Sequence, residues 1–220
     1  MTTIAKGVVV TANDKYEREL WDKGFDYVAA CDESGMGAFA GDIYVAAVIL
    51  PKNIDYKNLL PGLNDSKKLS AQAREKLYPL VKKHAVAYSV QVATVQEVNE
   101  HNVYWARFIA ARRALADLQT SPDYVLMDGN ATIPQISIPQ DALVKGDSKS
   151  ISIAAASILA KVDRDKYMDD LATKVHEDYG WASNRAYYCK KHIEALEKHG
   201  KTEWHRDRFL RKFKVGGTKK

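Results

Sequence analysis

Four acids in this chain each close or follow an apolar run. Asp32 and Glu33 end the stretch Tyr27-Val28-Ala29-Ala30-Cys31, Asp128 ends residues 124–127, and Asp147 follows residues 142–144 through Lys145-Gly146. A carboxylate carried to the rim of a core is expensive to desolvate unless a cation or donor compensates it. If the three strands are neighbours, four carboxylates converge and repel one another when bare. With Mg2+ or Mn2+ the same oxygen-rich set becomes a hard-cation site. The chemistry such a set serves is phosphoryl transfer, in which two ions about 4 Å apart activate a water and stabilise the leaving oxygen. Each acid alone has a plainer reading, and Asp147, just ahead of a long helix, is a credible cap. Repetition at three strand ends favours the metal set. Neither Cys-x-x-Cys nor His-x-x-x-His spacing supports structural zinc, and no Gly-x-x-x-x-Gly-Lys-Ser/Thr loop supports a P-loop nucleotidase.

The residues around the acids suit a polyanion. Gly35-Met36-Gly37 permits a sharp turn and lets bare amides approach a ligand. Lys67 and Lys68 lie in the polar connection 51–70 and are expected to hold phosphates, while Asn64 and Ser66 either donate to a phosphate or build the loop. Lys145 is a phosphate contact or an ion-pair partner of Asp147. Arg164 and Asp165 read as a structural ion pair or as support behind the site. His84, His101, His176 and His199 have no ligand spacing and read as surface groups. His192 and His205 are placed nearer the substrate side, with a packing role at least as well supported. Trp105 and Phe108 read as a buried helix face.

The elements that must position these groups follow from periodicity and punctuation. A short helix over 14–23 with Asn13 as cap precedes two strands, 26–31 and 42–50, paired antiparallel across the glycine turn. Ser70 caps a helix running to about residue 84, a strand covers 86–94, and a long helix covers 95–119. Strands at 124–127 and 142–144 lead to a helix over 151–175, whose Ala154-Ala155-Ala156-Ser157 patch permits close approach to a sheet. Together these predict an α/β fold, a mixed central sheet flanked by helices, with a helical C-terminal part. The division expected is 1–175 for the catalytic part and 176–220 for a basic extension packed on it. From Arg185 onward there are 12 Lys and Arg against 4 Asp and Glu, a balance of +8 in a chain of +5, so residues 1–184 carry −3. A basic end beside an acidic half fits a nucleic acid and a cation-binding centre.

Composition excludes other classes. No apolar run approaches the ~20 residues of a membrane span. Met1 to Val10 makes a poor signal peptide, and the last residues, from Gly216 on, are expected to fray. Two distant cysteines, Cys31 and Cys189, point to a reduced, cytoplasmic protein. Nothing demands oligomerisation, so a monomer is expected.

The run Asp32–Gly37, the stretch 63–70, Asp128-Gly129, Lys145-Gly146-Asp147, residues 153–165, Tyr179-Gly180, Tyr187, His192, Gly200 and His205-Arg206 resemble ribonuclease HII, the type 2 ribonucleases H. The resemblance covers roughly residues 16–209. It implies a ribonuclease H-like fold and endonucleolytic cleavage of the RNA strand of RNA–DNA hybrids. It also implies incision 5′ of a lone ribonucleotide in duplex DNA, leaving a 3′-hydroxyl and a 5′-phosphate. Asp32, Glu33, Asp128 and Asp147 match the family's metal-binding acids. The family reads the 2′-hydroxyl with a Gly-Arg-Gly turn and a tyrosine, here Gly35-Met36-Gly37 and Tyr187. Met36 removes a cation at that turn, Ala186 replaces a glycine before the tyrosine, and Arg208 replaces a serine. Type 3 ribonucleases H share the carboxylates but carry an extra N-terminal substrate-binding domain, which makes type 2 the better match. An alternative is a hybrid-binding protein with lost or altered junction cleavage.

Overall fold

A computed structural model describes residues 12–216; the expectations for Met1 to Val10 and for the tail beyond Gly216 lie outside them. In chain order the larger elements are α1 (Lys15–Trp21), β1 (Val28–Ser34), β2 (Ile43–Ile49), α2 (Tyr56–Leu59), α3 (Ala71–His84) and β3 (Ala87–Ala93). Then come α4 (Val95–Ala116), β4 (Tyr124–Asp128), β5 (Gln140–Leu143), α5 (Ile151–Ala172), α6 (Trp181–Asn184), α7 (Lys190–His199) and α8 (Asp207–Leu210). The five strands form one sheet in the order β3-β2-β1-β4-β5. β1 pairs antiparallel with β2 and parallel with β4, and β4 pairs parallel with β5. The mixed sheet expected from the sequence is present, with helices on both faces.

The pleat sorts the core. Successive strand residues point to opposite faces, so Ala29, Cys31 and Met127 pack with Phe108 and Ala111 of α4. Ala30, Leu126 and Val28 face the other way, with Ile153 of α5. α5 can lie close because Ala154, Ala155, Ala156 and Ala160 are fully buried and present no bulk. Ser150 and Ser70 cap α5 and α3 through Ile153 N and Ala73 N.

Several local expectations change. β1 continues through Ser34, so Asp32 and Glu33 lie within the strand. The cap of α1 is Asp14, while Asn13 accepts from Lys15 N at 3.0 Å. α4 begins in a Thr94/Glu97 capping box and is interrupted at Asn102, with φ 64° and ψ 164°. The interruption turns Trp105 out to 50% exposure while Phe108 stays buried, so the two do not share a buried face. Asn102 Oδ1 accepts from Tyr104 N and Trp105 N, restarting the helix as a cap would.

Candidate metal centre

Strand register brings the acids together. Cys31 is level with Met127 in the parallel β1/β4 pair, so Asp32 and Asp128 leave neighbouring strands side by side and on the same face. Asp128 is level with Leu143 of β5, and the next turn, residues 146–148, carries Asp147 back to them. Asp128 Oδ1 accepts from Gly146 N at 2.7 Å, which fixes that turn against the strand. A Cβ at Gly146 would lie 2.5 Å from the Cδ1 tip of Ile153 and 3.1 Å from Asp128 Oδ1, so a side chain there would press on both. Asp32, Asp128 and Asp147 each offer an oxygen within 4.8 Å of the others.

Glu33 does not join this trio. As the next residue along the strand it points to the α4 face, where Oε1 lies 3.7 Å from Arg107 Nη1 and Oε2 is buried with no partner. Of the four carboxylates expected to converge, three meet within 4.8 Å, and Glu33 lines the same cleft as Asp32 while turning toward Arg107. Burial first, then Glu33 and Asp128, raises the Asp32 pKa well above the usual carboxylate range. Burial first, then Asp128 and Asp65, raises Asp147. Burial pushes Glu33 up to about 7 against the pull of Arg107. Three crowded oxygen donors whose charge is disfavoured without a cation are the donor set of a hard divalent ion.

Two of these acids, Asp32 and Glu33, line a cleft of about 420 Å³ together with Gly35, Met36, Gly37, Ser66, Lys67, Lys161 and Tyr187. Lys67 Nζ lies 3.6 Å from Asp147 Oδ2 and is otherwise exposed, so the ion pair proposed for Lys145 is made by Lys67. Lys145 is instead the left-handed residue (φ 57°) that opens the Asp147 turn. Lys68 donates to Ser148 Oγ at 2.9 Å. Asn64 and Ser66 are buried and build the loop: Asn64 Oδ1 accepts from Asp65 N, and Ser66 N donates to Ser157 Oγ. Sequence reasoning missed Asp65, Lys161 and Arg107 as neighbours of the site.

The glycine turn is held from behind by two buried arginines. Arg206 donates to the carbonyls of Gly35, Met36, Ala38 and Gly41. Arg164 donates to Ala40, Asp42 and Arg185 carbonyls and makes no ion pair with Asp165, which bonds Lys161 at 2.5 Å. Gly35 has φ 102°, and a side chain there would collide with Arg164. Met36 packs its side chain against the core on the α4 side of the sheet. Tyr187 stands over the turn, its ring 5.3 Å from the Arg164 guanidinium and 3.8 Å from where a Gly37 Cβ would be.

The histidines divide into a buried pair, in the packing role that was one of their two readings, and a pair nearer the surface beside Asp178. His192 and His205 are buried, with Nε2 atoms 3.0 Å apart; Trp181 Nε1 donates to His192 and Thr202 N to His205 Nδ1. His176 and His199 stack at 3.9 Å beside Asp178, whose Oδ2 also accepts from Lys198 at 2.9 Å. His199 and Lys198 hold Asp178 well below the usual carboxylate range. A larger hollow of about 810 Å³, bordered by Asn13, Asp55 and Tyr56, contains none of the predicted site residues.

The family model for ribonuclease HII matches residues 29–215. The chain belongs to that family. A ribonuclease HII of Bacillus mycoides is 46% identical over 195 residues, 89% of this chain and 73% of the relative. One from Halalkalibacterium halodurans is 45% identical over 194 residues, 88% and 71% of the two chains. The crystal structure of ribonuclease H2 from Pyrococcus horikoshii OT3 superposes with a TM-score of 0.66 at 24% identity, covering 84% of this chain and 99% of that one, and shows the same fold. Membership makes the protein a ribonuclease H, a divalent-metal-dependent hydrolase. No described helix is long and apolar enough to cross a membrane.

Proposed function

We propose that this protein cleaves the RNA strand of RNA–DNA hybrids and cuts duplex DNA on the 5′ side of single embedded ribonucleotides, leaving 3′-OH and 5′-phosphate ends. The observation that carries this reading is the trio Asp32, Asp128 and Asp147 within 4.8 Å, with Asp32 opening on a cleft lined also by Gly35, Gly37, Lys67 and Tyr187. Asp32, Asp128 and Asp147, with Glu33 beside them, would hold Mn2+ or Mg2+. Bound there, divalent ions supply an activated water and a counter-charge for the leaving oxygen. The Gly35 and Gly37 amides and the Tyr187 ring face the ribose, where the 2′-hydroxyl is read at close range. Lys67, with Lys68 near the rim, neutralises phosphates. Residues 1–175 act as the catalytic part and 176–220 as its basic extension, in a monomeric cytoplasmic enzyme.

The test is a cleavage assay on three labelled duplexes, with Mg2+ and with Mn2+: one lone ribonucleotide in DNA, one continuous RNA strand on DNA, and one DNA only. Incision 5′ of the lone ribonucleotide is expected, with the DNA duplex intact. The Asp128→Asn variant should lose cleavage by about 100-fold or more while still binding hybrid. Met36 gives one specific reason for a second reading, since the turn lacks a cation: cleavage of the long hybrid alone would mean that junction recognition is lost.

A further inference from the structure

Arg107 approaches the acidic centre from α4, on the sheet face opposite α5. Its side chain is 6% exposed, and its guanidinium lies over the rings of Tyr104 and Phe108, at 4.9 and 4.4 Å. The nearest carboxylate oxygen is Glu33 Oε1, 3.7 Å from Nη1. Arg107 Nε is buried with no acceptor, and Glu33 Oε2 is buried with no donor. Among the described residues only four buried side-chain nitrogens or oxygens lack a partner, and two of them belong to this pair.

A guanidinium keeps its charge at every pH the protein meets. Charge-assisted hydrogen bonds normally close to about 2.7–2.9 Å, so the Glu33–Arg107 contact is an ion pair left open, with one oxygen and one N–H still unsatisfied. Among the described residues the trio's one ion pair is Lys67 with Asp147, and it is the set that calls for an added cation. A divalent ion recruited to Glu33 meets a fixed positive charge in a site shielded from solvent, where repulsion is poorly screened.

We propose that Arg107 is the resident counter-cation of Glu33, so that without nucleic acid the centre takes one divalent ion, at Asp32, Asp128 and Asp147, and admits a second only when Glu33 parts from Arg107. The inference rests on reading the acids as a metal centre. It makes Arg107 a positioning residue that sets metal occupancy through Glu33.

Mn2+ titration followed by the electron paramagnetic resonance signal of the free ion tests this without any turnover. Wild type is expected to bind one Mn2+ tightly. Arg107→Met should bind two, the second about tenfold tighter or more than in wild type, and Arg107→Lys should behave as wild type. Glu33→Gln, which leaves the trio untouched, should keep the single tight ion. Equal stoichiometry and affinity in wild type and Arg107→Met would overturn the proposal, as would loss of the tight ion in Glu33→Gln. So would an Arg107→Lys that follows Arg107→Met, because packing rather than charge would then be at work. No Mn2+ binding by wild type would overturn the metal-centre reading itself, whereas a tight ion lost only in Asp128→Asn upholds that reading whatever Arg107 does.

Discussion

At the scale of single residues, the centre exchanges stability for charge. Asp32 is raised first by burial and then by Glu33 and Asp128, so its protonated form is the one the metal-free fold favours. A carboxyl raised on folding contributes stability that is complete below its unfolded pKa and is lost as pH rises through its folded value. Glu33, raised to about 7 chiefly by burial, extends that window toward neutrality. His205 acts oppositely: burial lowers it to about 3, so it costs stability as pH falls through the ordinary imidazole range. The two effects separate in a difference measurement. Asp32→Asn should melt higher than metal-free wild type at pH 8, and by about 2–4 °C more than at pH 5, roughly what 1 kcal/mol is worth in a domain of this size. Mn2+ should raise the melting temperature of wild type and not of the variant. An equal advantage at both pH values would refute the burial argument. The acids themselves were legible in the sequence because each closes an apolar run. The separate direction of Glu33 was implicit in strand alternation, since Asp32 and its neighbour cannot face the same side. Arg107 was not legible: an arginine on a helix ordinarily reads as solvent-facing, and only the packing of Tyr104 and Phe108 turns it inward.

At the scale of elements, the sequence located helices and strands well where one face was strongly apolar. α3 runs from the Ser70 cap to His84 as expected, and the small-residue start of α5 meets the sheet. It missed the break in α4 because apolar spacing continues on both sides of residue 102 and nothing local announces it. Asn102 adopts φ 64° and ψ 164°, a region nearly reserved for glycine, while its side chain caps Tyr104 and Trp105. These two roles pull a substitution in opposite directions. Asn102→Ala loses the cap and keeps the backbone strain, and should cost about 1–2 kcal/mol in urea unfolding. Asn102→Gly also loses the cap, but relief of strain should leave it within about 0.5 kcal/mol of wild type. Equal losses in the two variants would mean that backbone strain contributes nothing at this position. The C-terminal helices were expected as a basic appendage, but their deeper structural role was not. Phe39 N donates to Ala186 O, Gly41 N to Trp204 O and Arg206 N to Phe39 O, so residues 186–206 hold the glycine turn in place. Long-range pairing of this kind leaves no trace in local periodicity.

At the scale of the whole molecule, the charge that meets a nucleic acid is unevenly placed. The basic excess lies after residue 184, but Arg206 is wholly buried and binds backbone, so part of that excess never reaches a substrate. On the rim of the cleft the exposed cation nearest the acids is Lys67, and the turn between Gly35 and Gly37 presents a thioether instead of a charge. Met36 lies half-buried against the core, and its carbonyl already accepts from Arg206. A longer cationic side chain at this position would leave the apolar core and extend into the cleft, because Arg206 and Arg164 behind the turn repel it from the interior. Met36→Arg should therefore bind an RNA–DNA hybrid more tightly at low salt. Each added phosphate contact releases about one condensed counterion, so a plot of log affinity against log salt should steepen by about 1. The gain should shrink as salt rises and largely vanish where screening removes the contact. Fluorescence anisotropy with a labelled hybrid, in Ca2+ or without metal to prevent cleavage, measures both quantities. An unchanged slope with unchanged affinity would show that the turn does not lie against the phosphate backbone. The cleft would then have to bind its substrate by a path that leaves residue 36 uncontacted, with Lys67 and Tyr187 on the side that meets it.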